Sequence, residues 1–306
     1  MTDERDDRLP EMVDNEPVWE GQIYTSEDGT RRILRRRPPI LETRDLYVKF
    51  GNRVVLRDID LKIRKGETIA VIGESGCGKT VFLKTVIGLI DPTFGHVLLD
   101  GTDLTRLSGR ELSEARTRFG FVFQQAALFD SMTIGQNIAF PVLQKNPRTP
   151  QRELDELTAR LLHEVGLTPE VAARMPAELS GGMRKRVGFA RALAVSPELM
   201  LYDEPTTGLD PIMSDVINEL MISARDKHKV TGIMVTHDMK SAKKVADRIV
   251  MFYPCSRLED DEPQIIFDGS PEEIDESEDP RVWQFVNGLA GERLMEMTKT
   301  GESPEG

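Results

Sequence analysis

A glycine-rich loop, Gly73-Glu-Ser-Gly-Cys-Gly-Lys-Thr80, constrains the fold more than any other part of this sequence. It follows an apolar run with strand character, and it precedes a helical stretch that extends to Ile90. In such a unit the glycines let backbone N–H groups turn toward a phosphate, and the helix dipole favours the same anion. The sequence therefore predicts an α/β fold with a phosphate-binding loop; a glycine-rich turn without a ligand is the alternative. The predicted loop residues are Gly73, Glu74, Ser75, Gly76, Cys77, Gly78, Lys79 and Thr80.

Two side chains at the end of the loop and two carboxylates far along the chain predict the rest of a nucleotide site. We expect Lys79 to reach the β- and γ-phosphates and Thr80 to give its hydroxyl to Mg²⁺. The apolar run 199–202 predicts a buried parallel strand that ends in Asp203 and Glu204. Asp203 would hold Mg²⁺ and Glu204 would polarise the attacking water, provided that the chain bends at the strand end. A solvated acidic strand end is the alternative.

A second glycine-containing turn, Leu179-Ser-Gly-Gly-Met183, precedes a helical run that extends to Ala194. Ser180, Gly181 and Gly182 again place bare N–H groups and a helix dipole where an anion could bind. By itself the turn also fits a serine that caps an ordinary helix. Its position between the phosphate loop and the two carboxylates favours a functional role.

Composition and charge exclude several classes of function. The 306 residues carry 40 Lys and Arg against 52 Asp and Glu, and residues 257–280 alone contain eleven carboxylates and one arginine. We therefore expect neither a broad basic face nor a nucleic-acid partner. No apolar run reaches ten residues, and the acidic N-terminus lacks the pattern of a signal peptide. With only two cysteines, Cys77 and Cys255, these features predict a cytosolic chain that needs a partner for any membrane role.

The pattern of elements divides the chain into three parts. Residues 1–39 lack apolar periodicity, so we expect a flexible extension. Residues 40–270 alternate strands with helices, and the mainly helical stretch 133–194 predicts an inserted helical subdomain at about 125–185. The tail 271–306 is expected to contain a short helix. The predicted strands are 46–50, 54–56, 59–63, 68–73, 96–99, 119–123, 199–202, 232–236 and 249–253.

Taken in order, these motifs resemble those of the ATP-binding cassette (ABC) family of ATPases over residues 40–270. The resemblance implies a P-loop NTPase (RecA-like) domain with an inserted α-helical subdomain and an antiparallel β subdomain, which binds and hydrolyses ATP with Mg²⁺. It also implies that Phe50 stacks on adenine and that Asp210 belongs to a loop at the nucleotide. Singly, Phe50 could be core packing, Gln124 a strand-end cap and His237 a satisfied polar residue. The implied catalytic residues are Glu204, His237, Gln124 and Lys79, and the implied metal ligands are Thr80, Gln124 and Asp203.

Three further segments resemble the ATPase subunit of Mla/Mce-type lipid transporters. They are 125–141, the Leu-Ser-Gly-Gly-Met-Arg-Lys-Arg-Val run at 179–187, and Asp279-Pro-Arg-Val-Trp-Gln-Phe-Val-Asn-Gly288. The resemblance implies a head-to-tail homodimer on transmembrane permease subunits at the cytoplasmic face of the inner membrane, with an Mce-type substrate-binding protein. The permease would contact the segment 124–140 through Leu128, Phe129, Met132 and Ile134, unless these residues fill the core of the helical subdomain.

Three alternatives to a lipid motor remain open at this point. The chain could energise transport of another solute, or it could be a soluble ABC ATPase of DNA repair or translation. The single phosphate loop argues against the second. A nonhydrolysing regulatory binder is the third, and Glu204 and His237 argue against it. The arginine-rich run Arg31–Arg37 could contact anionic lipid headgroups or pair with the acidic stretch 258–280.

Overall fold

The computed structural model describes residues 39–289, together with the backbone of four short strands nearer the N-terminus. The strands are β1 (Met12–Val13), β2 (Glu16–Pro17), β3 (Gln22–Thr25), β4 (Arg31–Leu34), β5 (Pro39–Phe50), β6 (Arg53–Arg64), β7 (Thr68–Ile72), β8 (Phe94–Leu99), β9 (Thr102–Asp103), β10 (Phe119–Val122), β11 (Leu199–Asp203), β12 (Thr231–Val235), β13 (Arg248–Phe252) and β14 (Ile265–Gly269). The α-helices are α1 (Lys79–Val86), α2 (Gly109–Arg116), α3 (Ile134–Lys145), α4 (Gln151–Glu164), α5 (Gly181–Leu193), α6 (Pro211–His228), α7 (Met239–Val245) and α8 (Pro280–Val286).

The N-terminal strands form two antiparallel pairs, β1 with β2 and β3 with β4. The expected flexibility of the extension concerns residues that are for the most part outside the described ones. The proposed contacts of Arg31–Arg37 likewise concern side chains outside the described part of the chain.

A six-stranded sheet in the order β10-β11-β12-β7-β13-β14 forms the centre of the domain. Its strands run parallel except β14, which pairs antiparallel with β13. Strands β7 and β12 are buried at every residue, as expected for a sheet that is covered on both faces. The carboxyl ends of the parallel strands meet at one edge, which is where ligands bind in open α/β sheets.

A second, antiparallel sheet has the order β6-β5-β8-β9 and confirms the expected β subdomain. The sequence predicts short separate strands in this region, whereas β5 and β6 are each one continuous strand of 12 residues. Both strands contain register shifts, and Asp45 and Asp58 adopt φ values of +48° and +50°. These local bends explain why the apolar runs are interrupted although the strands continue.

Helices α3, α4 and α5 form the expected helical subdomain. Thr133 and Gln136 begin α3 with a reciprocal capping box, in which each side chain accepts the other residue's backbone N–H. Ser180 caps α5 by accepting the N–H of Met183 at 3.3 Å. Ile134 is fully buried in the core of this subdomain, whereas Phe129 is 42% exposed. Of these two residues, only Phe129 is available to a partner.

Glycine shortens the helix that follows the phosphate loop. The sequence predicts this helix to Ile90, but α1 ends at Val86 and Gly88 follows with a φ of +70°. A left-handed glycine after the last turn is a common way to end a helix, because it lets the free carbonyl groups be paired.

The acidic stretch near the C-terminus is built into the same domain. Asp268 pairs with Arg248, Asp275 pairs with Lys243, and Asp279 caps α8 by accepting the N–H of Arg281. Val282 of α8 is fully buried in the core cluster that includes the central sheet. Among the described residues, no helix combines the length and the apolar character that crossing a bilayer requires.

Candidate active site

The phosphate loop lies at the carboxyl end of β7 and leads directly into α1. Its backbone requires glycine, since Gly73, Gly76 and Gly78 have φ values of +142°, +81° and +99°. A Cβ on Gly73 would lie 2.3 Å from the carbonyl oxygen of Phe252, and one on Gly78 would lie 2.8 Å from that of Val55. Gly78 is the N-cap of α1 and offers no side-chain cap, so the first N–H groups of the helix can bind an anion. The loop therefore fits a phosphate group.

The remaining loop side chains are held in defined positions. The Lys79 ammonium donates to the carbonyl oxygens of Gly73 at 2.7 Å and Glu74 at 3.0 Å, and the residue is 8% exposed. Cys77 is buried, and burial raises the pKa of its thiol, so it remains protonated and fills space beneath the loop. Ser75 and Gly76 are exposed at the loop surface.

Thr80 and Asp203 meet at the end of the loop. The Thr80 hydroxyl donates to Oδ1 of Asp203 at 3.0 Å, across 123 residues of sequence. Burial raises the pKa of the Asp203 carboxyl, and the neighbouring Glu204 carboxylate adds to this effect. Two acids in a partly buried site need a compensating positive charge. The hydroxyl and the carboxylate are oxygen ligands of the kind that Mg²⁺ prefers, so the pair fits this ion.

Glu204 bends the chain immediately after β11. Its φ is +47°, and its N–H donates to the carbonyl oxygen of Val235 at 3.0 Å. This is the bend at the strand end that the sequence argument requires. The Glu204 carboxylate contacts Nδ1 of His237 at 2.9 Å and accepts a hydrogen bond from the Thr207 hydroxyl at 3.0 Å. Glu204 and His237 thus meet although 33 positions separate them in the sequence.

Phe50 and Gln124 lie at the margin of this site. Phe50 ends β5 and is 51% exposed, so its side chain is accessible to a ligand. The Arg53 guanidinium on the same hairpin lies 3.7 Å from a Cβ placed on Gly76, which puts the hairpin beside the phosphate loop. Gln124 is exposed in the turn that follows β10. Within the described part of the chain, its side chain hydrogen-bonds neither Thr80 nor Asp203.

Ser180 and Gly181 are exposed at the start of α5 and Gly182 is half-buried, and no hydrogen bond among residues 39–289 joins this turn to the phosphate loop. A Cβ on Gly181 would meet no atom within 4 Å, so the turn is open to solvent at that residue. Asp210 caps α6 by accepting the N–H groups of Ile212 and Met213 at 3.0 and 2.9 Å. Among the described residues, the side chains of Ser180 and Asp210 thus cap their own helices and do not contact the phosphate loop.

Sequence reasoning missed Lys185, which links α5 to the loop after Glu204. Lys185 is 8% exposed, and its ammonium donates to the carbonyl oxygens of Pro205 at 2.9 Å and Thr207 at 2.5 Å. Burial lowers the pKa of this ammonium, and the charge of Glu204 opposes the shift. A lysine on the buried face of a helix, four residues before Phe189, is the signal that could have identified it.

Arg191 was missed in the same way, because its partners are backbone groups. Its guanidinium donates to the carbonyl oxygens of Ala126 at 2.9 Å and Ala127 at 2.8 Å. Both alanines have positive φ values, 61° and 46°, in the turn that contains Gln124. Arg191 therefore fixes this turn to α5.

Comparisons with known proteins agree with the geometry. The family model described as ABC transporter matches residues 56–207. The intermembrane phospholipid transport system ATP-binding protein MlaF of Haemophilus influenzae is 38% identical over 249 residues, which cover 81% of this chain and 90% of that protein. The chain belongs to the ABC transporter ATPase family.

Further relatives and solved structures support this assignment. The Arabidopsis thaliana protein TRIGALACTOSYLDIACYLGLYCEROL 3, chloroplastic, is 36% identical over 91% of this chain and 83% of that protein. The ATP-binding cassette MJ0796, solved as a dimer in a post-hydrolysis state with ADP and Pi, matches with a TM-score of 0.68 and 28% identity. The match covers 76% of this chain and 98% of MJ0796. This ABC ATPase accordingly has the P-loop NTPase fold, takes ATP with Mg²⁺ and hydrolyses ATP.

Proposed function

We propose that this ABC ATPase is the motor subunit of a phospholipid transporter, and that it works as a head-to-tail homodimer on permease subunits at the cytoplasmic face of the inner membrane. The observation that carries the motor function is the contact of Glu204 with His237 beside the phosphate loop. A carboxylate at this position can accept a proton from an attacking water, which pure nucleotide binding would not require.

The residues of the site divide the chemistry among them. The backbone N–H groups of the phosphate loop and the Lys79 ammonium bind the phosphates, and Phe50 stacks on the adenine. Thr80 and Asp203, together with Gln124, would hold Mg²⁺, and the ion would neutralise negative charge on the phosphates when bound. Glu204 orients the water and takes up its proton. His237 and the Thr207 hydroxyl both contact Oε2 of Glu204, at 2.9 and 3.0 Å, and together hold this carboxylate in place.

The Ser180–Gly182 turn at the start of α5 supports dimerisation. Ser180 and Gly181 are exposed at the start of α5 and the space beside Gly181 is open, so the γ-phosphate on another copy of the chain could bind at this helix N-terminus. Asp210 lies at the start of α6, and the side chain of Met213 in that helix reaches to 2.9 Å from a Cβ placed on Gly182. ATP binding would close two copies around two nucleotides, and hydrolysis would remove the contact that holds them.

The permease would dock in an apolar groove beside Gln124. The groove has a volume of about 400 Å³, and its lining includes Phe121, Phe123, Phe129, Phe140 and Arg191. Arg191 also holds the turn at Ala126 and Ala127, so an inserted helix would contact the side chain that joins this turn to α5. The groove therefore connects a partner mechanically to the helix that carries the Ser180–Gly182 turn.

Phospholipid is the proposed cargo because relatives that match most of the chain carry that name. MlaF of Escherichia coli K12 is 34% identical over 82% of this chain and 90% of that protein. An Mce-type substrate-binding protein is proposed as the further partner. Another solute is the second candidate, because the probable ribonucleotide transport ATP-binding protein mkl of Mycobacterium leprae is 38% identical over 81% of this chain and 69% of that protein.

Affinity purification of the tagged chain from gently solubilised membranes tests the proposal. We expect two copies to be recovered with a multi-span permease, an Mce-type protein and bound phospholipid, as mass spectrometry would show. A permease of another kind without phospholipid would leave the motor but contradict the cargo. Soluble or nucleic-acid partners alone would contradict the transporter. A Lys79→Ala variant should lose nucleotide affinity in a fluorescence titration, and it serves as the inactive control.

A further inference from the structure

Residues 253–264, which connect β13 to β14, cross over the phosphate loop; we call this segment the strap. The strap begins beside the loop, since the carbonyl oxygen of Phe252 lies against Gly73. The Arg57 guanidinium holds its middle by donating to the carbonyl oxygens of Glu259 at 2.8 Å and Glu262 at 2.6 Å. Glu262 in turn pairs with Arg281 of α8 at 3.3 Å. The strap is thus fixed to β6 and to α8.

Gln264 connects the end of the strap to the loop backbone. The residue is 1% exposed, and its amide Nε2 donates to the carbonyl oxygens of Cys77 at 2.9 Å and Val55 at 3.0 Å. Its Oε1 accepts the N–H of Arg57 at 2.8 Å. The side chain therefore has three hydrogen bonds in a buried position, where losing any of them leaves a polar group unpaired.

Arg257 connects the strap to the Glu74 carboxylate of the phosphate loop. It is the one basic residue in the stretch 257–280, and its Nη1 lies 2.7 Å from Oε2 of Glu74. The two side chains are 23% and 17% exposed, so water screens the pair only in part. Glu74 places a carboxylate within the loop that must bind a polyanion, which is unfavourable unless a positive charge lies next to it.

We propose that the strap is a positioning device for ATP, in which Arg257 neutralises Glu74 and Gln264 holds the Cys77 carbonyl so that the loop keeps its phosphate-binding shape. The proposal rests on the ATP-binding function of the loop and assigns it two further residues. Arg257 and Gln264 contact the loop at Glu74 and Cys77, so we expect their effect on nucleotide affinity and not on the chemical step.

Titration of the full chain with a fluorescent ATP analogue and Mg²⁺ tests the charge argument. Arg257→Gln should raise Kd about fivefold, because the Glu74 carboxylate then repels the phosphates. Adding Glu74→Gln should return Kd to within about twofold of the unmodified chain, since the repelling charge is gone. Lys243→Gln is the matched control, because its pair with Asp275 lies in the same acidic stretch but does not contact the loop.

The outcomes separate this proposal from a general structural effect and from the function itself. An unchanged Kd in Arg257→Gln would overturn it, and so would a loss of affinity that Glu74→Gln does not restore. A Gln264→Met variant provides a second readout, for which we expect a higher KM for ATP with kcat at saturating ATP retained. A fall in kcat without a change in KM would contradict the role given to Gln264. Failure of the unmodified chain to bind the analogue would instead contradict the ATPase assignment, and this proposal with it.

Discussion

The two glycine-containing helix starts of this ABC ATPase differ in how completely the chain encloses them. At the phosphate loop, Gly73 and Gly78 leave no room for a Cβ, and Lys79 is 8% exposed. At the other start, a Cβ on Gly181 would meet nothing within 4 Å, and Ser180 is exposed. Residues of the same chain therefore enclose the phosphate loop, whereas the Ser180–Gly182 turn is enclosed only in part.

A single copy of the chain therefore contains the residues for hydrolysis but encloses the nucleotide only in part. Glu204 and His237 meet beside the phosphate loop within one chain, whereas no hydrogen bond among the described residues joins the Ser180–Gly182 turn to that loop. Changes at the first region should act on binding or on the chemical step in each copy. Changes at the second should act only when two copies meet, which the following variants test in order of expected effect.

Glu204→Gln should reduce kcat for ATP about a thousandfold while nucleotide binding persists. The amide keeps the shape of the side chain but cannot accept a proton from water. Steady-state phosphate release and a nucleotide titration on the same preparation measure the two properties. Near-normal turnover would show that Glu204 is not the group that activates water.

Gly181→Asp should reduce ATPase activity about a hundredfold, because a carboxylate would replace an anion-binding surface at the partner's γ-phosphate. The open space around Gly181 accommodates the side chain, and an acidic residue in the first turn suits a helix. The unfolding midpoint and the ATP affinity of the isolated subunit should be retained. Gly181→Ala is the control for size, and an equal loss in both variants would contradict the electrostatic argument.

Lys185→Met should reduce kcat about tenfold with the Kd for ATP unchanged. The substitution leaves the carbonyl groups of Pro205 and Thr207 unpaired and loosens the turn that follows Glu204. Lys244→Met is the matched control, since Lys244 pairs with Asp215 on the surface. If the two variants have the same kcat, Lys185 does not position the turn.

Asp203→Asn should raise the unfolding midpoint by about 2 °C at pH 7 in EDTA, although it impairs the site. Burial, with Glu204 adding, raises the pKa of this carboxyl above its ordinary value of 3.8. Because the pKa is higher in the folded state than in the unfolded state, the free energy of unfolding falls as the pH rises from the ordinary pKa to the raised one. The destabilisation is therefore present at neutral pH. Thermal unfolding from pH 7 to pH 4 should show the difference shrinking, and a constant difference would exclude this origin.

Local patterns made the phosphate loop, Asp203 and Glu204 predictable from the sequence. The residues that support them were not, because their partners lie far away along the chain. Gln264 contacts Cys77 across 187 positions, and Lys185 contacts carbonyl groups that no side-chain pattern reveals. Charge composition shows the acidic stretch 257–280 but not its partners, which the structure identifies as Arg248, Lys243 and Arg281.

Secondary structure was predictable where burial was strong and periodic. Strands β7, β11 and β12 are almost fully buried and correspond to continuous apolar runs. Helix α2 has no buried residue, and β14 is only half-buried, so neither leaves a clear apolar pattern. The sequence predicts only the end of β5, as 46–50, and divides β6 into 54–56 and 59–63, because the bends in these strands interrupt the alternation.

Sedimentation equilibrium of the Glu204→Gln variant with saturating ATP and Mg²⁺ tests the central claim most directly. If one copy supplies the phosphate loop and the next supplies the Ser180–Gly182 turn, the variant should form a dimer with ATP and a monomer without it. Adding Gly181→Asp should return it to a monomer that still binds ATP. A monomer with ATP, or a dimer that Gly181→Asp leaves intact, would contradict the account.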